Sequence, residues 1–216
     1  MNEWLLFSFI FIGILSILII SELIRIRYKK TSESTRKFIH ICVGSIVSIC
    51  PFIFKANTQL ITLSLLFIAI NMYFMLSNKI SSMNKIERVS YGTIYFPLAV
   101  LFLAVFFGDK PISFFISILV LTFADPIAAV IGKRSSTYFY PWKDKKSTEG
   151  TLAMFCASLI IIMLTTDIMA RLYGAKFYLP FFVLFGLGMF TATCATLAEL
   201  ISYRGSDNLT IPLITF

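Results

Sequence analysis

Long apolar runs alternate with short polar connections along the whole chain, and the runs set the expected architecture. A hydrocarbon core of ~30 Å takes roughly 20 residues of helix, and ~17 suffice. Seven stretches fit: residues 4–23, 38–54, 58–76, 92–107, 111–131, 150–168 and 177–200. The fourth is the shortest. Each is apolar nearly all round, as a helix in lipid is, rather than on one face as at a soluble surface. The pattern predicts an all-α, polytopic integral membrane protein of about seven transmembrane helices. There is no internal repeat and no low-complexity segment.

Composition agrees. Of 216 residues, 58% are hydrophobic and 14% charged, against about a quarter charged in soluble domains. No polar stretch is long enough to fold separately, so residues 1–216 read as a single transmembrane domain. Cys42, Cys50, Cys156 and Cys194 lie in apolar runs without a C-x-x-C pair and read as small apolar residues between helices. The first run starts at Trp4 without a basic leader, which reads as a retained span rather than a cleaved signal.

The net charge of +8 matters through its distribution. Lys and Arg favour the cytoplasmic side of a membrane protein. None precedes the first run, and six follow it (Arg25, Arg27, Lys29, Lys30, Arg36, Lys37). The next loops hold one (Lys55), three (Lys79, Lys85, Arg88), one (Lys110), five (Lys133, Arg134, Lys143, Lys145, Lys146) and two (Arg171, Lys176); the tail adds Arg204. Alternate segments therefore carry fifteen basic residues against four. The asymmetry predicts an N-terminus outside, a C-terminus in the cytoplasm and a site on the cytoplasmic side. Clusters at the ends of spans suit anionic head groups or a phosphorylated ligand, not nucleic acid.

Asp125 stands out because it lies inside the fifth run, about two turns before Gly132. A carboxylate at depth costs ~2.5–3.5 kcal/mol on insertion scales and so marks a site. The alternative is an acid paired to a basic residue for assembly. Pro126 follows it, lacks an N–H and clashes with the Thr122 carbonyl, so the helix is expected to kink or break there. Ala128 and Gly132, three and seven residues on, give a small-residue face beside the acid.

Five basic residues then lead into Lys145-Lys146-Ser147-Thr148-Glu149-Gly150, which opens the sixth run. A helix N-terminus preceded by lysines suits phosphate, since unpaired N–H groups and the dipole add to the ammonium charge. An ordinary membrane anchor explains the lysines equally but not the carboxylates beside them. Carboxylates among lysines fit a divalent cation joined to a polyphosphate. Arg36-Lys37-Phe38-Ile39-His40 opens the second run, with Arg36 and His40, the single histidine, on one helical face. A neutral imidazole accepts a hydroxyl proton and a charged one binds phosphate; an interfacial histidine bonded to a neighbouring helix is the structural alternative. Glu199 lies on a stripe with Gly188, Ala192 and Ala195, where small residues let helices approach closely; it either lines the site or caps a helix contact. Asn71, alone in the third run, reads as an interhelical hydrogen bond. The tail starts with polar Asp207 and Asn208.

These pieces, in this order, resemble the CTP-dependent lipid kinases: dolichol kinase, phytol kinase and the CTP-using diacylglycerol kinase. The matching segments are Arg36-Lys37-x-x-His40, Tyr91-Gly92-Thr93-Ile94-Tyr95-Phe96-Pro97, Ala124-Asp125-Pro126-Ile127-Ala128-Ala129-x-x-Gly132, Lys146-Ser147-x-Glu149-Gly150 and Asp207-Asn208-Leu209-x-Ile211-Pro212. They reach from about residue 36 to 216. One departure is Ala124, where the family usually has glycine. The Asp125 and Lys146–Gly150 pieces also look like those of phosphatidate cytidylyltransferases, although plain apolar helix follows Gly150 here.

The resemblance implies transfer of the terminal phosphate of CTP to the hydroxyl of a membrane lipid alcohol, with Mg²⁺ held by Asp125 and Glu149. It implies nucleotide contacts from Lys37, Gly132, Lys145, Lys146, Ser147, Glu149 and Gly150, and catalytic roles for Asp125, His40 and Arg36. Tyr91, Thr93, Glu199, Asp207 and Asn208 are the expected lining. The acceptor is left open among phytol, other polyprenols, dolichol and diacylglycerol, as is oligomeric state. A cytidylyltransferase making a CDP-lipid is one alternative. A secondary transporter with a carboxylate site is another, since transporters also build sites on broken helices.

Overall fold

In a computed structural model of the protein, residues 2–29, 31–77, 91–141, 144–174 and 179–216 are described. Six of the basic residues counted for orientation (Lys30, Lys79, Lys85, Arg88, Lys143 and Lys176) lie outside them, as does the start of the seventh expected run at 177–178.

The described residues are almost wholly helical. The long helices are α1 (Glu3–Tyr28), α2 (Ser32–Ile53), α3 (Asn57–Ser77), α7 (Thr148–Tyr173) and α8 (Phe181–Ile201). Between them come α4 (Gly92–Phe107), α5 (Pro111–Leu119), a π-turn at Val120–Ala124 and α6 (Asp125–Gly132). With Pro111–Gly132 taken as one span, six helices are long and apolar enough to cross a membrane, and Gly92–Phe107 is a shorter apolar one. Among the described residues the seven expected runs thus correspond to seven apolar helices, and the protein is a polytopic α-helical membrane protein. Large side chains such as Phe182, Phe190, Leu172 and Leu76 point outward, the arrangement lipid favours.

Backbone groups in lipid must find partners within the protein. Several hydroxyls inside the spans follow the same rule by donating one turn back: Ser16 to the Ile12 carbonyl, Ser64 to Leu60, Thr193 to Met189 and Thr196 to Ala192. Prolines need more elaborate solutions. Pro97 has no N–H for the carbonyl of Thr93, four residues earlier in α4. Asn71 of α3 supplies the missing donor, its Nδ2 lying 2.8 Å from that oxygen. The expected interhelical hydrogen bond of Asn71 is thus present, and it mends a proline defect.

Of the kink or break expected at Pro126, the structure rules out the break. Asp125 keeps helical angles (φ −63°, ψ −49°), and the chain passes through the π-turn without leaving the helix. The wider i→i+5 ring carries the Thr122 carbonyl away from the proline. The Thr122 hydroxyl donates to Ile118 at 2.6 Å.

Two connections carry structure where a loop and a polar tail were expected. After α6 a small antiparallel ribbon forms in which β1 (Tyr138–Phe139) pairs with β2 (Lys146–Ser147). The tail folds as α9 (Asp207–Thr215), with Asn208, Ile211 and Thr215 buried.

By its contacts the chain divides into two compact units, residues 1–109 with 204–209, and residues 110–203 with 210–216. In the first, α1 packs on α2 and α3, and α3 packs along α4. In the second, α7 is central, with α6 and the π-turn against it on one side and α8 on another. The small-residue stripe on α8 works as expected. Ala192 and Ala195 are fully buried, and a methyl added at Gly188 would meet Leu159 Cδ1 at 3.1 Å.

Candidate active site

The second unit collects most of the residues the sequence singled out. Helix α6 ends at Gly132 and α7 begins at Thr148, and the two ends touch backbone to backbone. A methyl group added to Gly150 would lie 3.1 Å from both the Ala128 carbonyl oxygen and the Gly132 Cα. At Gly132 the same addition would lie 3.5 Å from the Gly150 Cα. Ser147 fills the angle between them, with its Oγ only 2.6 Å from either added methyl. That hydroxyl is the N-cap of α7, accepting the Gly150 N–H at 3.1 Å. Both glycines and the serine are therefore required by one close approach. Asp125 opens α6 two turns before Gly132, roughly 10 Å along the axis, and is half-buried.

The ribbon sets the lysines. Lys146 pairs across it with Phe139, and its ammonium forms an ion pair with Glu199 near the end of α8. The two side chains are 15% and 13% exposed, so this pair sits under partial cover. Lys145 lies over the ring of Tyr138, 3.7 Å from the centroid, a cation–π contact. The Glu149 carboxylate takes the Ser135 hydroxyl and, at 2.7 Å, the Thr148 hydroxyl.

One expectation about this end changes. The first-turn amides of α7 were expected to be open to phosphate, yet two already have acceptors. Thr148 N–H donates to the Thr137 carbonyl at 3.3 Å, and Gly150 N–H donates to Ser147. The folded ribbon supplies the carbonyl that an open loop would not. An anion placed here would therefore meet lysine charge more than unpaired amides.

The first unit holds the other candidates. Arg36, Lys37 and His40 stand on α2, all half-buried. The Nε of Arg36 is buried without a hydrogen-bond partner, and the His40 ring meets Phe96 of α4 edge-on at 5.7 Å. Tyr91 begins α4, and its N–H donates to the Arg204 carbonyl at 2.9 Å. That bond ties the Tyr91–Pro97 segment to the turn before α9. There the backbone turns through left-handed angles at Arg204 (φ 52°) and Gly205 (φ 89°). Asn208 Nδ2 donates to the Gly205 carbonyl and to Asp207 Oδ1 at 3.1 and 2.9 Å. Asp207 and Asn208 thus close this turn, and Thr93 meets Asn71.

Sequence reasoning missed Ser135, Thr137 and Tyr138. Aromatic residues at 138–140 bounded by Ser135-Ser136 and Pro141 were the available signal for a strand. Among the described residues no group of three or more His, Cys, Asp or Glu is gathered in one place.

Fold and site together define a polytopic membrane protein in which a half-buried acid inside an apolar span shares a helix with a glycine-tight, lysine-bearing junction. No family model matches the chain, and no solved structure matches it. Among curated proteins it is similar to a phytol kinase from Synechocystis, 29% identical over 201 residues, covering 92% of this chain and 83% of that one. A probable chloroplastic phytol kinase from Triticum aestivum is 27% identical over 61% of the chain, and chloroplastic phytol kinase 1 from Arabidopsis thaliana 26% over 59%. The chain spans less than half of those two plant proteins, 44% and 46%. These relatives bear out the lipid-kinase resemblance read from the motifs, and they support an integral membrane lipid kinase.

Proposed function

We propose that the protein transfers the terminal phosphate of CTP to the hydroxyl of a membrane lipid alcohol of the phytol type, with Mg²⁺ and at the cytoplasmic face. The observation that carries this reading is the junction of α6 and α7. Gly132, Ser147 and Gly150 interlock there, so the helix bearing Asp125 and the ribbon bearing Lys145 and Lys146 end together. Phosphoryl transfer asks for charge neutralisation and alignment rather than covalent chemistry, and lysines beside carboxylates supply both.

Mg²⁺ is usually held by one or two carboxylates together with substrate phosphates and water, not by an all-protein cage. Asp125 and Glu149, on the two helices that meet, fit that donor set. When bound, the ion would neutralise phosphate charge. Lys145 leaves the Tyr138 ring for the polyphosphate, and Lys146 is steadied toward it by Glu199. Asp125 is the second unit's candidate for the proton of the alcohol, while Arg36 and His40, in the first unit, keep only the roles the motif resemblance implies. The choice of CTP follows the motif resemblance, and the acceptor type follows the relatives.

The test is Asp125→Asn in membranes given labelled CTP or ATP and a panel of lipid alcohols, with products separated by thin-layer chromatography. Lipid monophosphate plus CDP is expected from the parent protein, and a loss of at least about 100-fold from the variant. Near-normal product from Asp125→Asn removes this acid from the site. CDP-lipid plus pyrophosphate would instead assign a cytidylyltransferase.

A further inference from the structure

A groove of about 460 Å³ runs between α6 and α7 in the second unit. One wall is Phe123, Ile127 and Ile131, spaced four apart along the π-turn and α6, and the other is built on Ala153, Ala157 and Ile160 of α7. The lining is apolar throughout and the small side chains form the floor. Along α7 it extends roughly 12 Å, from residue 153 to 161. Its outer residues face away from the protein, with Ile127 and Ile160 42% and 57% exposed, so the groove opens sideways toward lipid.

Both walls end at the same polar pair. Four residues before Ala153 on the same face of α7 stands Glu149, and four residues after Ile131 stands Ser135. These two are hydrogen-bonded to each other. The groove is thus apolar along its length, and this carboxylate–hydroxyl pair lies about one helical turn beyond its end nearest the Gly132–Gly150 contact. A single chain bearing one small neutral donor matches this: the chain replaces lipid contacts in the groove, and its O–H lies toward the polar end.

We propose that this groove seats the chain of the acceptor alcohol, with its hydroxyl delivered to the Ser135–Glu149 end. The assignment rests on the lipid-kinase reading and adds to it the acceptor's position and direction. Small residues on the floor set how much chain fits, so Ala157 is a determinant of acceptor selection.

The test uses the full chain in phosphatidylcholine vesicles with a diazirine-bearing phytol analogue, photo-crosslinked and mapped by peptide mass spectrometry. Adducts are expected on residues 123–131 and 153–161, and excess phytol should remove them. Ala157→Phe, whose ring enters the open groove, should lower adduct yield and raise the lipid KM about tenfold, the effect of displacing roughly two chain carbons. The nucleotide KM should stay unchanged. Adducts that excess phytol fails to remove would give the groove to bulk lipid, and adducts appearing only on dilution in the bilayer would give it to a second copy of the chain. Either overturns the proposal. Phosphorylation of phytol without groove adducts refutes the groove and spares the kinase. Groove adducts without phosphorylation of any alcohol do the reverse.

Discussion

Replacing Asn71 with leucine tests how this protein tolerates proline inside a membrane helix, and the answer should change sign with Pro97. In the parent chain the Thr93 carbonyl has no helical donor, because Pro97 occupies the position that would provide it. Asn71 Nδ2 donates to it at 2.8 Å, and Asn71 is 8% exposed. Asn71→Leu keeps the branching and heavy-atom count of the side chain and removes the donor. A buried polar group left unsatisfied costs about 1–3 kcal/mol, while measured interhelical hydrogen bonds in membranes average ~0.6 and reach ~1.7. The variant also removes the Asn71 Oδ1, which is buried without a partner, and that offsets part of the loss. A net cost of about 1 kcal/mol follows.

In a Pro97→Ala background the residue at 97 regains its N–H and serves Thr93 itself. Asn71→Leu then removes two groups that no longer need each other, which is neutral or stabilising. The four proteins of this double-mutant cycle should therefore show a coupling of about 1–2 kcal/mol. Unfolding by SDS titration in mixed micelles, followed by circular dichroism, measures it. Equal costs of Asn71→Leu in both backgrounds, within about 0.3 kcal/mol, would refute the account of Asn71 as the donor that Pro97 lacks.

The junction of α6 and α7 gives a second prediction: Gly132→Ala or Gly150→Ala places a methyl 2.6 Å from Ser147 Oγ and should cost about 1–3 kcal/mol, with lipid phosphorylation falling further than the stability loss explains. Adding Ser147→Ala should recover part of the stability of Gly132→Ala, since the blocking oxygen is gone, and thermal unfolding in detergent reads this. For the ion pair, Glu199→Gln leaves the Lys146 ammonium under partial cover without its carboxylate and should cost about 2 kcal/mol, less than a fully buried pair. The exchange Lys146→Glu with Glu199→Lys should restore thermal stability but not phosphorylation, because the cation then stands on α8. Recovered activity would show that Lys146 serves the fold alone.

The apolar runs were legible because lipid leaves a chain few choices. A residue such as Phe182 or Leu172 needs no specific neighbour to be stable in hydrocarbon, so its run declares a span by length and composition. Asp125 was legible for the converse reason, being costly wherever it is not used. Gly132 and Gly150 were readable as small residues, but their shared function was not. It depends on Ser147 Oγ standing between them, a distance in space rather than a spacing in sequence.

Hydropathy and motif order by themselves determined a seven-run helical membrane protein, the acid in its fifth run, and the lysine-led start of its sixth. The tertiary structure alone decided how Pro126 is absorbed, since a π-turn and a helix break leave the same sequence signature. It alone decided that the α7 amides are occupied, because Thr137 reaches Thr148 only once the ribbon closes. It decided as well that Lys146 belongs with Glu199, fifty-three residues away. Burial in lipid is settled residue by residue, but partners for N–H groups, carbonyls and charges are settled only when distant segments meet.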